Sequence, residues 1–165
     1  MYFLVHFIRS MCAFWLFDLQ MCKIFCIFAV AFVRNTIMDI TSQIRQPIAE
    51  AFHQYESQFE QAMHSDNVLL DQVLRYIAAK RGKQLRPTLV LLSANLCREV
   101  SDKTILTAVA LEILHNATLV HDDVVDNSPT RRGVPSVQSN WTNKVAVLVG
   151  DWMLALFKEA AGLQL

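Results

Sequence analysis

His121-Asp122-Asp123-Val124-Val125-Asp126 and the pair Arg131-Arg132 are the residues of this chain best suited to chemistry. In a helix, Asp122 and Asp126 fall one turn apart on the same face. Two carboxylates so placed repel each other unless a cation sits between them. A hard divalent cation such as Mg²⁺ is held through one or two carboxylates plus substrate phosphate oxygens. The two arginines that follow offer forked donors matched to phosphate. The pattern therefore points to a metal-bridged phosphate. A solvated acidic helix end followed by a basic loop is the plainer alternative.

A second constellation lies upstream, at Gly82-Lys83-Gln84-Leu85-Arg86-Pro87. Lys83 and Arg86 project from a turn that opens a helix, and helix N-termini favour anions. That set suits a diphosphate; exposed basic side chains at a helix junction are the alternative. His115 precedes Asp122 by seven residues, two turns away on nearly the same face. Alone it reads as an ordinary helix histidine. With Lys83, Arg86 and the aspartates it reads as a donor to phosphate oxygens.

Helices must position these groups. Asp39 or Thr41 can cap a first helix carrying Ile44, Ile48, Phe52, Tyr55, Phe59 and Met63 at 3–4 spacing, with Pro47 in its early turns. A second helix is expected over 67–81, ended by Gly82. A third starts at Pro87 and runs to about Glu99. Ser101 or Asp102 opens a fourth, which reaches roughly Asp126 and carries both His115 and the aspartates. Residues 127–138 read as loop, and Ser139 caps a fifth helix to about Ala161. Neither strand alternation nor an internal repeat is visible. Leu89–Leu92 and Val145–Val149 are almost unbroken apolar runs, so these helices belong at the centre of a bundle. Five such helices lack enough partners among themselves. The chain is therefore expected to be the N-terminal part of a larger helical fold, or to need a partner subunit.

Composition narrows the rest. Formal net charge is zero over 165 residues, and no basic patch points to nucleic acid. Residues 1–37 hold nine of the sixteen aromatics and three of the four cysteines, Cys12, Cys22 and Cys26. The apolar run from Ile24 to Val33 is only ten residues long, where a membrane span wants roughly 20. A secretory signal lacks its usual order here. Residues 1–37 therefore read as a hydrophobic extension, either sequence translated from upstream of a true start at Met38 or an anchor. Residues 38–165 read as the domain. Cys97 reads as a small buried residue, and no Cys/His set completes a zinc site.

In order and at these separations, GKxxRP, LHxxxxxHDDxxD from Leu114 to Asp126, and Arg131-Arg132-Gly133 resemble the trans-isoprenyl diphosphate synthases. Val147-Leu148-Val149-Gly150-Asp151 is also similar to that family's next helix. The likeness covers roughly residues 40–160, about the first half of a family member. It implies an all-α isoprenoid synthase bundle around a central cavity, usually a homodimer. It implies that an allylic diphosphate is joined head to tail to isopentenyl diphosphate. Asp122 and Asp126 would bind Mg²⁺ that bridges the allylic diphosphate, and Arg131 would contact that diphosphate. Lys83, Arg86, His115 and Arg132 would hold isopentenyl diphosphate. Asp123 points elsewhere by helical geometry and would support through hydrogen bonds.

Ala117 and Thr118 stand where large aromatics stop chain growth in short-chain members. Their small size, and a DDxxD without insertion, imply a long-chain product. The family's second aspartate-rich motif is not present: after Asp126 the only acidic residues are Asp151 and Glu159. These 165 residues alone are therefore expected to be inactive. A non-catalytic subunit of a hetero-oligomeric synthase is the alternative. A terpene cyclase is weaker still, since it needs no second diphosphate clamp. The expected location is the cytoplasm, with membrane contact only through residues 1–37 or product release.

Overall fold

The computed structural model describes residues 40–97 and 99–162. The expected Asp39 cap and the extension over 1–37 lie outside them. The chain divides into two compact units, Met1–Ile44 and Arg45–Leu165. Of the first, the described residues 40–44 are helical.

The second unit opens on a 3-10 turn at Gln46–Ile48 that contains Pro47. Helix α1, Ala49–Ala62, starts only after it. The single long helix expected from residue 39 onward is thus interrupted, because proline lacks the N–H that an α-helix interior needs. Beyond the turn the expected stripe is buried: Ile48, Phe52, Tyr55, Phe59 and Met63 all belong to the core. Three of its rings stack in series, Phe52 on Tyr55 at 5.4 Å and Tyr55 on Phe59 at 6.0 Å.

Helix α2, Val68–Ala79, is capped by Asn67, whose side chain accepts from the N–H groups of Leu69 and Leu70. It stops two residues short of the expected end, so Gly82 is not its cap. Helix α3, Leu85–Cys97, begins two residues before Pro87. Proline is tolerated there because the first four N–H groups of a helix have no internal acceptor. Cys97 is exposed rather than buried.

Helix α4, Asp102–Val125, is capped by Ser101 and is the axis of the unit. It packs against α1, α3 and the last helix. Its buried face runs Ile105, Ala108, Val109, Ile113, Ala117 and Val120. By length and composition alone it could cross a membrane, but its buried face is the centre of this core.

The expected loop 127–138 is more ordered than its composition suggests. Thr130–Arg131 (β1) pairs antiparallel with Val134–Pro135 (β2). The two-residue turn between them, Arg132-Gly133, has φ of 53° and 78°. Both central residues at positive φ is the geometry that favours a tight hairpin, with glycine second. Ser136, not Ser139, caps a short helix α5, Val137–Asn140. Thr142 caps helix α6, Asn143–Ala160. Ser139 is diverted into holding the hairpin, donating to the Pro129 carbonyl. The hairpin is also tied to α2, since the Tyr76 hydroxyl donates to the Pro135 carbonyl at 2.6 Å and its ring meets Trp141 edge-on.

The apolar helices leave several leucines at the surface. Leu85, Leu89 and Leu96 on α3, Leu106 and Leu111 on α4, and Leu148 on α6 are exposed. Scattered surface leucines are ordinary, but this many on three central helices is not.

Candidate functional site

Helix α4 presents Asp122 and Asp126 to solvent, while Asp123 between them is 3 % exposed. Helical geometry dictates this split, because neighbouring residues lie about 100° apart around the axis. The carboxylate of Asp123 takes Arg131 as a fork: Nε donates to Oδ1 and Oδ2, each at 2.9 Å, and Nη2 to Oδ1 at 2.7 Å. The Asp123 carbonyl accepts from Gln138 Nε2 at 2.6 Å and from the Ser128 N–H at 2.9 Å. Asp123 thus fastens the hairpin to α4. The supporting role expected of it takes the form of a clamp on Arg131.

That clamp changes how Arg131 can act. Two of its three guanidinium nitrogens are occupied by Asp123, which leaves Nη1 to meet an anion. Its pKa is raised, first by the hydrogen bonds it donates to Asp123 and, against the opposing effect of burial, by the charges of Asp123, Asp122 and Asp126. Arg131 therefore stands within electrostatic reach of both exposed aspartates.

The basic constellation is assembled from two distant stretches of sequence. Arg132, at the hairpin tip, donates from Nη1 to the Lys80 carbonyl at the end of α2. Its guanidinium lies flat against Gly82: a Cβ built there would meet Nη2 at 2.8 Å and Cζ at 2.9 Å. Gly82 is needed for space, not for backbone freedom. Lys83 and Arg86 are exposed beside it. Replacing Gly82 with alanine is expected to leave Tm nearly unchanged, because the clashing group is the far end of a flexible side chain. It is also expected to weaken pyrophosphate binding several-fold by displacing Arg132, which calorimetric titration would show.

His115 joins the two constellations. Its pKa is lowered, first by burial and then by Arg86, Arg132 and Arg131, while Asp122 pulls it upward. Charges on α3, the hairpin and α4 therefore all bias the protonation of this imidazole. The neutral ring is the favoured form, a donor and acceptor rather than another cation. In the unfolded chain the ring titrates near 6.5; in the folded chain it titrates lower. Between those values the unfolded state binds more protons, so stability is full above the unfolded pKa and falls as pH drops through it. Denaturant melts at pH 7.5 and 5.5 should therefore show a larger acid loss for the natural chain than for His115→Gln.

Beneath the cations lies Glu112, an acid 6 % exposed and one turn before His115. Burial pushes its carboxyl up, against the opposing pull of Arg86, Arg132 and Arg81. The Tyr55 hydroxyl is buried nearby, beside the Gln84 amide but without hydrogen-bond geometry to it. Burial, with the Glu112 charge added, pushes that phenol up as well. Sequence inspection passed over Glu112, although a lone acid in the apolar run Ala108–Leu114 is a legible signal. It also passed over the contact of His121 with α6: its Nε2 lies 3.3 Å from the Val147 carbonyl and 3.5 Å from Asp151 Oδ1. Gly150 makes room for this ring, since a Cβ there would sit 2.2 Å from Nε2.

The two residues whose small size implies a long product face different surroundings. Thr118 is exposed and donates its hydroxyl to the His115 carbonyl. Ala117 is fully buried in the core. Among the described residues no group of three or more metal-ligating side chains comes together. Asp122 and Asp126 are thus not part of an all-protein metal cage among the described residues.

Known proteins share the sequence and fold of this chain. The family model described as polyprenyl synthetase matches residues 67–162. The chain is 39% identical over 119 residues to an all-trans-nonaprenyl-diphosphate synthase (geranyl-diphosphate specific) of Rhodobacter capsulatus, covering 72% of this chain and 37% of that one. It is 41% identical over 100 residues to heptaprenyl diphosphate synthase component 2 of Bacillus subtilis, covering 61% and 29%. A polyprenyl synthase from Caulobacter crescentus, solved in complex with calcium and isoprenyl diphosphate, superposes with a TM-score of 0.68 at 31% identity, covering 73% of this chain and 37% of that one. The chain spans about a third of the length of the curated relatives it matches.

Proposed function

The chain belongs to the polyprenyl synthetase family, and from that premise we propose that it supplies the wall of a prenyltransferase site that grips both diphosphates. The reaction joins isopentenyl diphosphate to an allylic diphosphate and builds a long all-trans polyprenyl diphosphate. One observation carries the proposal: the hairpin docks Arg131 on the acidic end of α4, through Asp123, and Arg132 on the Lys80 carbonyl and Gly82, at the turn that carries Lys83. A basic helix junction and an acidic helix end that were merely solvated would not need one hairpin to tie them together.

In this reading, Asp122 and Asp126 would hold Mg²⁺, which would supply neutralising charge to a departing diphosphate. The electron pair of the allylic C–O bond leaves with the diphosphate, and the Nη1 of Arg131 adds a preorganised donor to it. The resulting allylic cation is attacked by the double bond of isopentenyl diphosphate, which forms the new C–C bond. Loss of a proton to the released diphosphate closes the balance. The second diphosphate must be gripped without being made to leave. Lys83, Arg86 and Arg132 do this by charge, and neutral His115 by its N–H, so that the two carbons meet in register.

Asp123 does not touch substrate; it sets the height of Arg131. The small Thr118, on the exposed face one turn before Asp122, supports a product that grows past it. A member of a hetero-oligomeric synthase is a second reading. It is favoured by the relative named component 2 and by the exposed leucines of α3, α4 and α6, which a partner subunit would cover.

The test is binding of an allylic thiolodiphosphate, which resists ionisation, measured with and without Mg²⁺. Binding that needs Mg²⁺ and is lost in Asp122→Ala/Asp126→Ala is expected. Equal binding by that variant would refute the assignment.

A further inference from the structure

The loop that carries Lys83 is held in a costly shape, and the group that holds it lies far upstream. Gln84 adopts φ of 48° and is buried. A non-glycine residue in this region persists only where its surroundings over-determine it. The carbonyls on either side of the kink show how. The Gln84 oxygen accepts from both the N–H and the hydroxyl of Thr88, at 3.2 and 2.8 Å. The Lys83 oxygen accepts from Arg45 Nη2 at 2.5 Å, and Arg45 Nε donates to the same Thr88 hydroxyl at 3.1 Å. The Arg45 guanidinium also lies over the Phe52 ring, 4.1 Å from its centroid. One planar cation therefore ties together the loop, the first turn of α3 and the face of α1. Arg45 stands 38 residues before Lys83, outside the stretch 67–162 that the family model matches.

We propose that Arg45 is a positioning residue for the second diphosphate, fixing the turn at Lys83-Gln84 so that Lys83 and Arg86 present their charges together. The inference rests on the reading that Lys83 and Arg86 hold a diphosphate. Three features support it. Arg45 occupies the Lys83 carbonyl, an oxygen that would repel a phosphate if turned toward it. Its fork reaches two acceptors at once, which a lysine ammonium on a flexible stem does not reproduce. Its plane is set by the Phe52 ring, so the hydrogen bonds form with little loss of freedom.

The experiment is a Mg²⁺-free titration of the full chain with inorganic pyrophosphate. It compares the natural protein with Arg45→Ala, Arg45→Lys, Thr88→Val and Lys83→Ala/Arg86→Ala, at two salt concentrations. Arg45→Ala and Arg45→Lys are both expected to bind about tenfold more weakly, with the salt dependence unchanged, because geometry rather than a contact to the anion has been lost. Methylguanidinium should restore part of the affinity to Arg45→Ala. Thr88→Val keeps the arginine and the core volume and should weaken binding in the same direction, so it carries the test if Arg45→Ala does not fold. Natural affinity in both Arg45→Lys and Thr88→Val would overturn the inference. So would Arg45→Ala binding normally while Lys83→Ala/Arg86→Ala does not bind, and that outcome leaves the diphosphate reading standing. Normal binding by Lys83→Ala/Arg86→Ala would overturn the reading itself and this inference with it.

Discussion

Asp123→Ala is expected to destabilise the chain by about 2–3 kcal/mol, which lowers Tm by roughly 10 °C in a domain of this size. The middle aspartate of an acidic motif is easily taken for one more ligand. Here its side chain is 4 % exposed and accepts three hydrogen bonds from Arg131. Removing one partner of a buried charged pair leaves the other without its compensation, which costs about 3–5 kcal/mol when both are enclosed. Arg131 keeps 35 % of its side-chain exposure, so solvent screens part of that loss and the lower figure applies. The hairpin at 130–135 should loosen with it, because Asp123 is its main tie to α4. Asp123→Leu combined with Arg131→Met should recover much of the stability, since an apolar pair of similar volume carries no uncompensated charge. A loss below about 1 kcal/mol, typical of a surface ion pair, would contradict this account. Urea denaturation of the two single variants and the double variant measures the coupling directly.

Lys83→Ala/Arg86→Ala should weaken Mg²⁺-free pyrophosphate binding by about a hundredfold, from two charged hydrogen-bond donors worth roughly 1.5 kcal/mol each. Both side chains are exposed, so the natural chain's affinity should fall steeply with salt and the variant's, with Arg132 alone remaining as a cation, less steeply. Stability should change little, because neither residue is buried. A variant that melts earlier yet binds normally would reverse the assignment of these residues from ligand contact to scaffold.

The helices were legible because their apolar positions recur at 3–4 spacing and their caps are ordinary side chains. Phe52, Tyr55 and Phe59 are buried where periodicity puts them, and Ser101 caps α4 as its hydroxyl allows. Pro47 was seen, but its effect depends on where the preceding helix ends, which periodicity does not fix. The hairpin escaped because two-residue strands are too short to show alternation, and the positive φ of Arg132 and Gly133 is seen only in the folded chain.

At the site, residue types and order were enough to single out the acids and cations. What they could not show was who holds whom. Arg131 was assigned to a diphosphate because arginines suit phosphate, yet its nearest partner is the buried Asp123, eight residues earlier. Gly82 read as a helix stop because glycine usually is one, and it proved to be a seat for Arg132, fifty residues later in the chain. Glu112 and Arg45 carry no motif. Their meaning comes only from the tertiary neighbours that surround them.

The central claim is that one wall of this fold carries two diphosphate sites of different chemistry, one dependent on a metal and one on side-chain cations. Equilibrium dialysis with labelled inorganic pyrophosphate counts them. The account predicts two diphosphates per chain with Mg²⁺ and one without it. Asp122→Ala/Asp126→Ala should bind one in either condition, and Lys83→Ala/Arg86→Ala should bind one only when Mg²⁺ is present. A single diphosphate in every condition, or the same site lost in both variants, would contradict it.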